Sequence, residues 1–155
     1  MNTSTPLTAA DWAFLLELFR LPGKFISGEP YGSGHINDTF ALTVQPAGAP
    51  VRFLLQRIND RIFKNVPALM ENIQRVTAHS QARLAASAHP DAARRSLNLI
   101  FTAQGQPCGQ DAHGHWWRCY TFIEGAKTHD IIEQPQQARA AARAAYLAAV
   151  RDWVL

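Results

Sequence analysis

The sequence predicts an α+β domain, and three observations carry that reading. Strand-type segments cluster around a glycine-containing turn, a long segment of helical period follows them, and two further strand-type segments come after it. At 155 residues, 47% hydrophobic and 17% charged, the chain is the size of one core that needs neither disulfides nor a structural metal.

Thr8, followed three positions later by Asp11, announces a first helix with a close relative of the capping box. Trp12, Leu15, Leu16 and Phe19 recur at helical spacing, and Pro22-Gly23 is expected to stop the run. Residues 25–30 read as short and extended. Tyr31 to Phe40 (YGSGHINDTF) supplies a glycine-containing turn that leads into an alternating strand over 39–44, and Pro46-Ala47-Gly48 turns the chain again. Residues 52–59 (RFLLQRIN) form the clearest strand, mostly apolar and therefore expected to be central. Over 64–88 the period changes, and one long helix beginning near Pro67 is expected, with Leu69, Ile73 and Val76 as its apolar stripe and Pro90 closing it. Residues 97–102 and 116–123 read as strands, separated by a loop punctuated by Gly105-Gln106-Pro107 and His113-Gly114. From about Gln134 to the end the chain is an Ala/Arg-rich helix. The sum is helix, three strands, helix, two strands, helix, with a five-stranded antiparallel sheet and neither internal repeat nor linker.

Composition excludes several classes of function. No apolar run approaches the roughly 20 residues of a bilayer span, and Met1 to Thr5 lacks the charged start of a signal peptide. Cys108 and Cys119 are too few for a disulfide framework or a four-ligand zinc site, and are expected as reduced thiols in a cytoplasmic protein. The 15 basic residues against 12 acidic give a net charge of +3 and a pI near 9.2. These charges are scattered, and Arg94-Arg95 is the one adjacent basic pair, with no aromatic residue interleaved, so a solvated surface is the reading. Nucleic-acid binding would rest on pI alone and would show a steep salt dependence.

The candidate chemistry lies around the glycine turn. Gly32-Ser33-Gly34 permits close approach of backbone N–H groups to phosphates, and His35, Asn37 and Asp38 add polar groups beside it, although Asn37-Asp38 equally suits an ordinary turn. Gln56 and Arg57 point to opposite faces of their strand, so one of them faces a ligand there, and the residues leave open which. Glu71 sits early in the long helix, flanking its apolar stripe, where a carboxylate is placed to orient a polar strand residue. His79, His89, His113, His115 and His129 are scattered, with surface loops as their expected place, and no metal site or Ser-His-acid set is suggested. A glycine-containing hairpin, a third strand, a long helix, then two strands and a connector is also the order of a kinase small lobe. There a glycine loop covers phosphates, a strand-three residue reaches them, and a helix carboxylate holds that residue.

Tyr31-Gly-Ser-Gly-His-Ile-Asn-Asp-Thr-Phe40, Leu55-Gln-Arg-Ile-Asn59, Ile62-Phe-Lys-Asn65, Met70-Glu-Asn-Ile73 with Arg75-Val-Thr77, and Arg118-x-Tyr-x-Phe-Ile-Glu124 together resemble the aminoglycoside phosphotransferase family. Within that protein-kinase-like family, the pattern is similar to the kinases that phosphorylate N-acetylhexosamines at the anomeric hydroxyl. The resemblance spans about residues 14–143. It implies ATP- and magnesium-dependent transfer of a phosphoryl group to an amino sugar. On this likeness Gly32, Ser33, Gly34, His35 and Asn37 would cover the phosphates. Gln56 or Arg57 would take the place of the strand-three basic residue, since the strand carries no lysine, and Glu71 that of its helix partner. Phe122, Ile123 and Glu124 would form the adenine-facing connector.

The family carries its catalytic and metal-binding aspartates on a second, helical lobe, in a His-Gly-Asp motif and a later Asp motif that this sequence lacks. The expectation is therefore a kinase-like lobe over 1–130 and the start of a truncated helical lobe over 131–155. Such a chain would be inactive alone, with ATP its ligand, magnesium ligands not its own, and an apolar face near 122–132 open to association. The alternative is a non-catalytic module that binds nucleotide or a partner.

Overall fold

In the computed structural model, which describes residues 6–32, 34, 36–87, 92–125 and 134–139, the Thr8–Asp11 pair forms a complete capping box. The Asp11 N–H donates to Thr8 Oγ1 at 3.3 Å and the Thr8 N–H donates to the Asp11 carboxylate at 2.8 Å, opening α1 (Ala9–Leu18). The helix ends before Pro22-Gly23, where the sequence placed its stop. Arg20 turns the chain with a left-handed φ of 47°, its N–H donating to Glu17 O, while the Leu21 N–H donates to Leu16 O at 2.9 Å. These paired bonds satisfy the last helical carbonyls without waiting for a proline.

Three strands follow: β1 (Lys24–Pro30), β2 (Asp38–Gln45) and β3 (Val51–Ile58). After them come α2 (Val66–Ala86), a short α3 (Ala92–Arg95), β4 (Leu99–Ile100), β5 (Gly109–Gln110) and β6 (Trp116–Thr121). The sheet is antiparallel, six-stranded rather than five-stranded, in the order β1-β2-β3-β6-β4 with β5 paired to β6. The strand expected over 97–102 shrinks to two residues because Thr102 starts a turn, accepting from Gly105 N–H and donating to Gln106 O. Neither β5 nor α3 was expected from the sequence. Ser33, His35, His89, Pro90, His129, the segment 126–133 and the helix expected over 140–155 lie outside the described residues.

β3 is apolar on both faces because helices cover both. On one face Trp12, Leu15 and Phe19 of α1 pack with Phe40, Leu42 and Val44 of β2, Phe53 and Leu55 of β3, and Trp117 and Cys119 of β6. On the other, Val66 and Met70 of α2 pack with Ile58, Leu99, Cys108 and Tyr120, with Leu69 and Ile73 at the margin. Each fully buried side chain of this size contributes about 1.5–3 kcal/mol. Val76, expected in that stripe, is instead 59% exposed, and Thr77, one residue on, takes the half-buried position. Asn65 caps α2, its Oδ1 accepting from the Ala68 N–H at 3.1 Å.

α1 lies close on β1 because position 28 has no side chain. A Cβ at Gly28 would stand 2.4 Å from the Trp12 ring, which also packs against Phe25 in a tilted contact and against Phe40 in a T-shaped one, at centroid distances of 5.5 and 5.8 Å.

The chain divides into two compact units, Met1–Glu124 and Gly125–Leu155. All the elements named so far belong to the first. In the second, residues 135–139 are helical and the Gln134 N–H donates to Gln137 Oε1 at 3.2 Å. No helix among the described residues is long and apolar enough to cross a membrane.

Candidate functional site

The period of two in a strand sorts the polar residues at the glycine-turn end of the sheet onto opposite faces. Across one row of the register, Asp38, Arg57 and Trp117 are paired on β2, β3 and β6; across the next, Thr39, Gln56 and Arg118 are paired. The first row faces α1, alongside Trp117 in its core. The second faces α2, where the strand neighbours are Leu54, Ile58 and Tyr120.

On the α2 face the row is a chain of directed hydrogen bonds. Gln56 Nε2 donates to Thr39 Oγ1 at 2.9 Å, and Arg118 Nε donates to Gln56 Oε1 at 2.9 Å. Arg118 Nη1 is 3.9 Å from Met70 Sδ on α2, and its guanidinium carbon lies 5.6 Å from the centre of the Tyr120 ring. Burial pushes the Tyr120 hydroxyl pKa up, and the neighbouring Arg118 charge works against that rise. Toward β1 this face is open: Ser27 and Glu29, which share it through their pairing with Thr43 and Ala41, are exposed.

The glycine turn and the connector border the same face. Gly32 holds a φ of 79° with open space around its missing Cβ, a backbone shape that favours glycine. The Tyr31 and Phe122 rings meet edge to face with their centroids 5.1 Å apart, and the Arg52 guanidinium lies over the Phe122 ring at 3.8 Å. Arg52 also pairs with Glu124, Nε to Oε1 at 2.8 Å with a second bond from Nη2 to Oε2. That pairing holds the Glu124 carboxyl below its ordinary pKa and the Arg52 guanidinium above its own. Within the connector, the Phe122 N–H donates to Arg52 O and the Glu124 C=O accepts from Arg94 Nη2 at 2.7 Å. Arg94, expected as a solvated surface residue, is exposed and also reaches the connector.

The other site residues expected from the sequence are distributed differently. Arg57 is on the α1 face, paired with Asp38 through Nε and Nη2 at 2.8 and 2.6 Å and 5.8 Å from the Trp117 ring. Asn37 Oδ1 accepts from the Asn59 N–H at 3.0 Å, which fastens the turn to the end of β3. Glu71 is exposed on α2; the group that meets Gln56 is Arg118. The described residues contain no group of three or more His, Cys, Asp or Glu side chains that could hold a metal ion.

A cleft of about 650 Å³ opens on the α1 side, lined by Thr8, Asp11, Arg57, Asp111, His113 and His115 among others. Asp111 is its anchor. The carboxylate accepts from Trp117 Nε1 at 2.8 Å and from the His113 and His115 N–H groups, each at 2.9 Å, and it meets His115 Nδ1 at 3.1 Å. Burial raises the Asp111 pKa, and these donors more than offset that, holding it below the ordinary aspartate value. Three of the four carboxylates that line this cleft are tied to the fold: Asp111 fixes the β5–β6 loop, Asp11 closes the α1 cap, and Asp38 pairs with Arg57, while Asp60 is exposed.

No model of a known protein family matches the chain. Thr39, Arg52 and Arg118 are the residues that reading the candidate chemistry from the sequence did not single out. A signal for Arg118 was present, because it is the lone charge in an otherwise apolar and aromatic strand. Its meeting with Gln56 depends on the β3–β6 register, which the sequence does not state.

Proposed function

We propose that the face shared by Thr39, Gln56 and Arg118 holds the phosphates of a nucleoside triphosphate, with the base toward Tyr31, Phe122 and the 122–124 connector. The chain is then the nucleotide-binding lobe of a phosphotransferase, similar to the amino-sugar kinases of the aminoglycoside phosphotransferase family. The observation that carries this reading is the Thr39–Gln56–Arg118 row. It is a directed polar chain on the α2 face, at the end of the sheet where a glycine turn with a left-handed Gly32 enters β2. Backbone N–H groups of such a turn suit phosphate oxygens, and a third-strand side chain on the helix-covered face suits the same ligand.

Ile123 supports the base end of the site. Its neighbours' Phe122 N–H and Glu124 C=O are engaged within the fold, whereas Ile123 has no hydrogen bond among the described residues. Its backbone is the part of the connector available to a base edge.

Magnesium enters with the nucleotide in this reading, and the transfer step is not assigned to the described residues. An amino-sugar acceptor is the substrate the family likeness suggests. Titration of the purified chain with Mg·ATP in a calorimeter tests the reading. Binding in the millimolar range or tighter is expected, and a folded chain that gives no heat at any concentration would refute it.

A further inference from the structure

Three arginines lie along β3 and β6, and among the described residues two of them have carboxylate partners: Arg52 with Glu124, and Arg57 with Asp38. Arg118 does not. Its contacts are an amide oxygen, a thioether sulfur and an aromatic ring, all neutral, and its residue is half-buried. A charge drawn out of water without an opposite charge is unfavourable until an anion completes it. A guanidinium also carries more N–H donors than these neutral acceptors take up, in a planar fork that matches phosphate oxygens.

We propose that Arg118 is the cation that grips the nucleotide phosphates, in place of the strand-three lysine that this sequence lacks. The inference rests on the nucleotide reading given above and assigns a residue to it. Gln56 then acts as a positioning residue. Its amide is oriented by Thr39, since Nε2 donates to Thr39 Oγ1, and this turns Oε1 toward Arg118 Nε. A lysine at position 56 would set a second positive charge against Arg118, so a neutral amide on β3 and a cation on β6 belong together. Arg57 cannot take the role, because it is on the opposite face and is paired with Asp38.

The test compares Mg·ATP and adenosine binding to the full chain and to Arg118→Gln, Arg118→Lys and Arg57→Gln. Loss of a charged hydrogen-bonding partner predicts ATP binding about 10- to 100-fold weaker in Arg118→Gln, with adenosine affinity unchanged. Arg118→Lys, which keeps the charge and loses the fork, is expected between that variant and wild type, and Arg57→Gln is expected to bind ATP as wild type does. If Arg118→Gln fails to fold, the lysine variant carries the comparison through the same ATP-to-adenosine ratio. Equal weakening of ATP and adenosine would mark a merely structural role and overturn the assignment. Unchanged ATP binding in the Arg118 variants, with wild type binding, would overturn the assignment and leave the nucleotide reading standing. Failure of the wild type to bind ATP would overturn both.

Discussion

Adding one methyl group at Gly28 tests the docking of α1 on the sheet. A Cβ there would lie 2.4, 2.5 and 2.7 Å from three ring carbons of Trp12, and ordinary contact begins at 3.4 Å, so the indole must recede by about 1 Å. It has little room to do so. Trp12 is 7% exposed and wedged between Phe25 and Phe40, and α1 is pinned at its other end where the Ala103 N–H donates to Leu18 O at 2.7 Å. Overpacking of this kind costs about 1–3 kcal/mol, a fall in Tm of roughly 3–10 °C for a chain of this size. The mechanism is separable from any effect of alanine on the strand itself, because the φ at Gly28 is not left-handed. In a Trp12→Ala background the clash is gone, and Gly28→Ala should be neutral or stabilising by about 0.4–1 kcal/mol through the unfolded state. Thermal or urea unfolding of the four proteins of this cycle supplies the numbers. An equal cost of Gly28→Ala in both backgrounds would refute the Trp12–Gly28 contact as its cause.

Three further outcomes are expected. Asp111 has a pKa below its unfolded value, so the stability it lends is complete above the ordinary carboxylate pKa of about 3.9 and is lost as pH falls through the lower folded value. Asp111→Asn should destabilise the chain at pH 7 by about 1–3 kcal/mol and flatten the acid limb of a stability–pH curve; an unchanged limb would contradict the Asp111 assignment. Arg20→Gly should stabilise by about 1 kcal/mol in urea unfolding, because a left-handed φ of 47° strains a side-chain-bearing residue and suits glycine. Cys108 and Cys119 are both buried, with thiol pKa values pushed up by that burial. A thiol-reactive dye at pH 8 should therefore leave the native chain unlabelled and label both cysteines in denaturant; rapid native labelling would contradict the burial of the labelled thiol, Cys119 in the α1-side core or Cys108 in the α2-side core.

The parts of the fold that local chemistry determines were legible in the sequence. Thr8 and Asp11 encode the start of α1, and the apolar run at 52–59 encodes a central strand because both of its faces are covered. The end of α1 was misplaced because an arginine, rather than a glycine, turns the chain at position 20. β5 is two residues long and exists only through pairing with Trp116 and Trp117, so no periodicity of its own could announce it. At the candidate site, the alternation of Gln56 and Arg57 was readable, but which of them faces α2 depends on which helix covers which side. Arg118 shows the same limit: its charge is evident in the sequence, while its neutral surroundings appear only when β3, β6 and α2 are assembled.

The central claim is that a nucleotide binds the α2 face rather than the cleft beside α1. The side-chain N–H resonances of Gln56, Arg118 and Trp117 report on the two faces separately, because the Trp117 indole points toward Asp111 on the α1 side while Gln56 and Arg118 share the other. Following them by NMR during a Mg·ATP titration is the most direct measurement. The account predicts that the Gln56 and Arg118 signals move with saturation and that the Trp117 indole signal stays in place. Movement of the Trp117 signal, with Gln56 and Arg118 unmoved, would place the ligand on the wrong face and contradict the account.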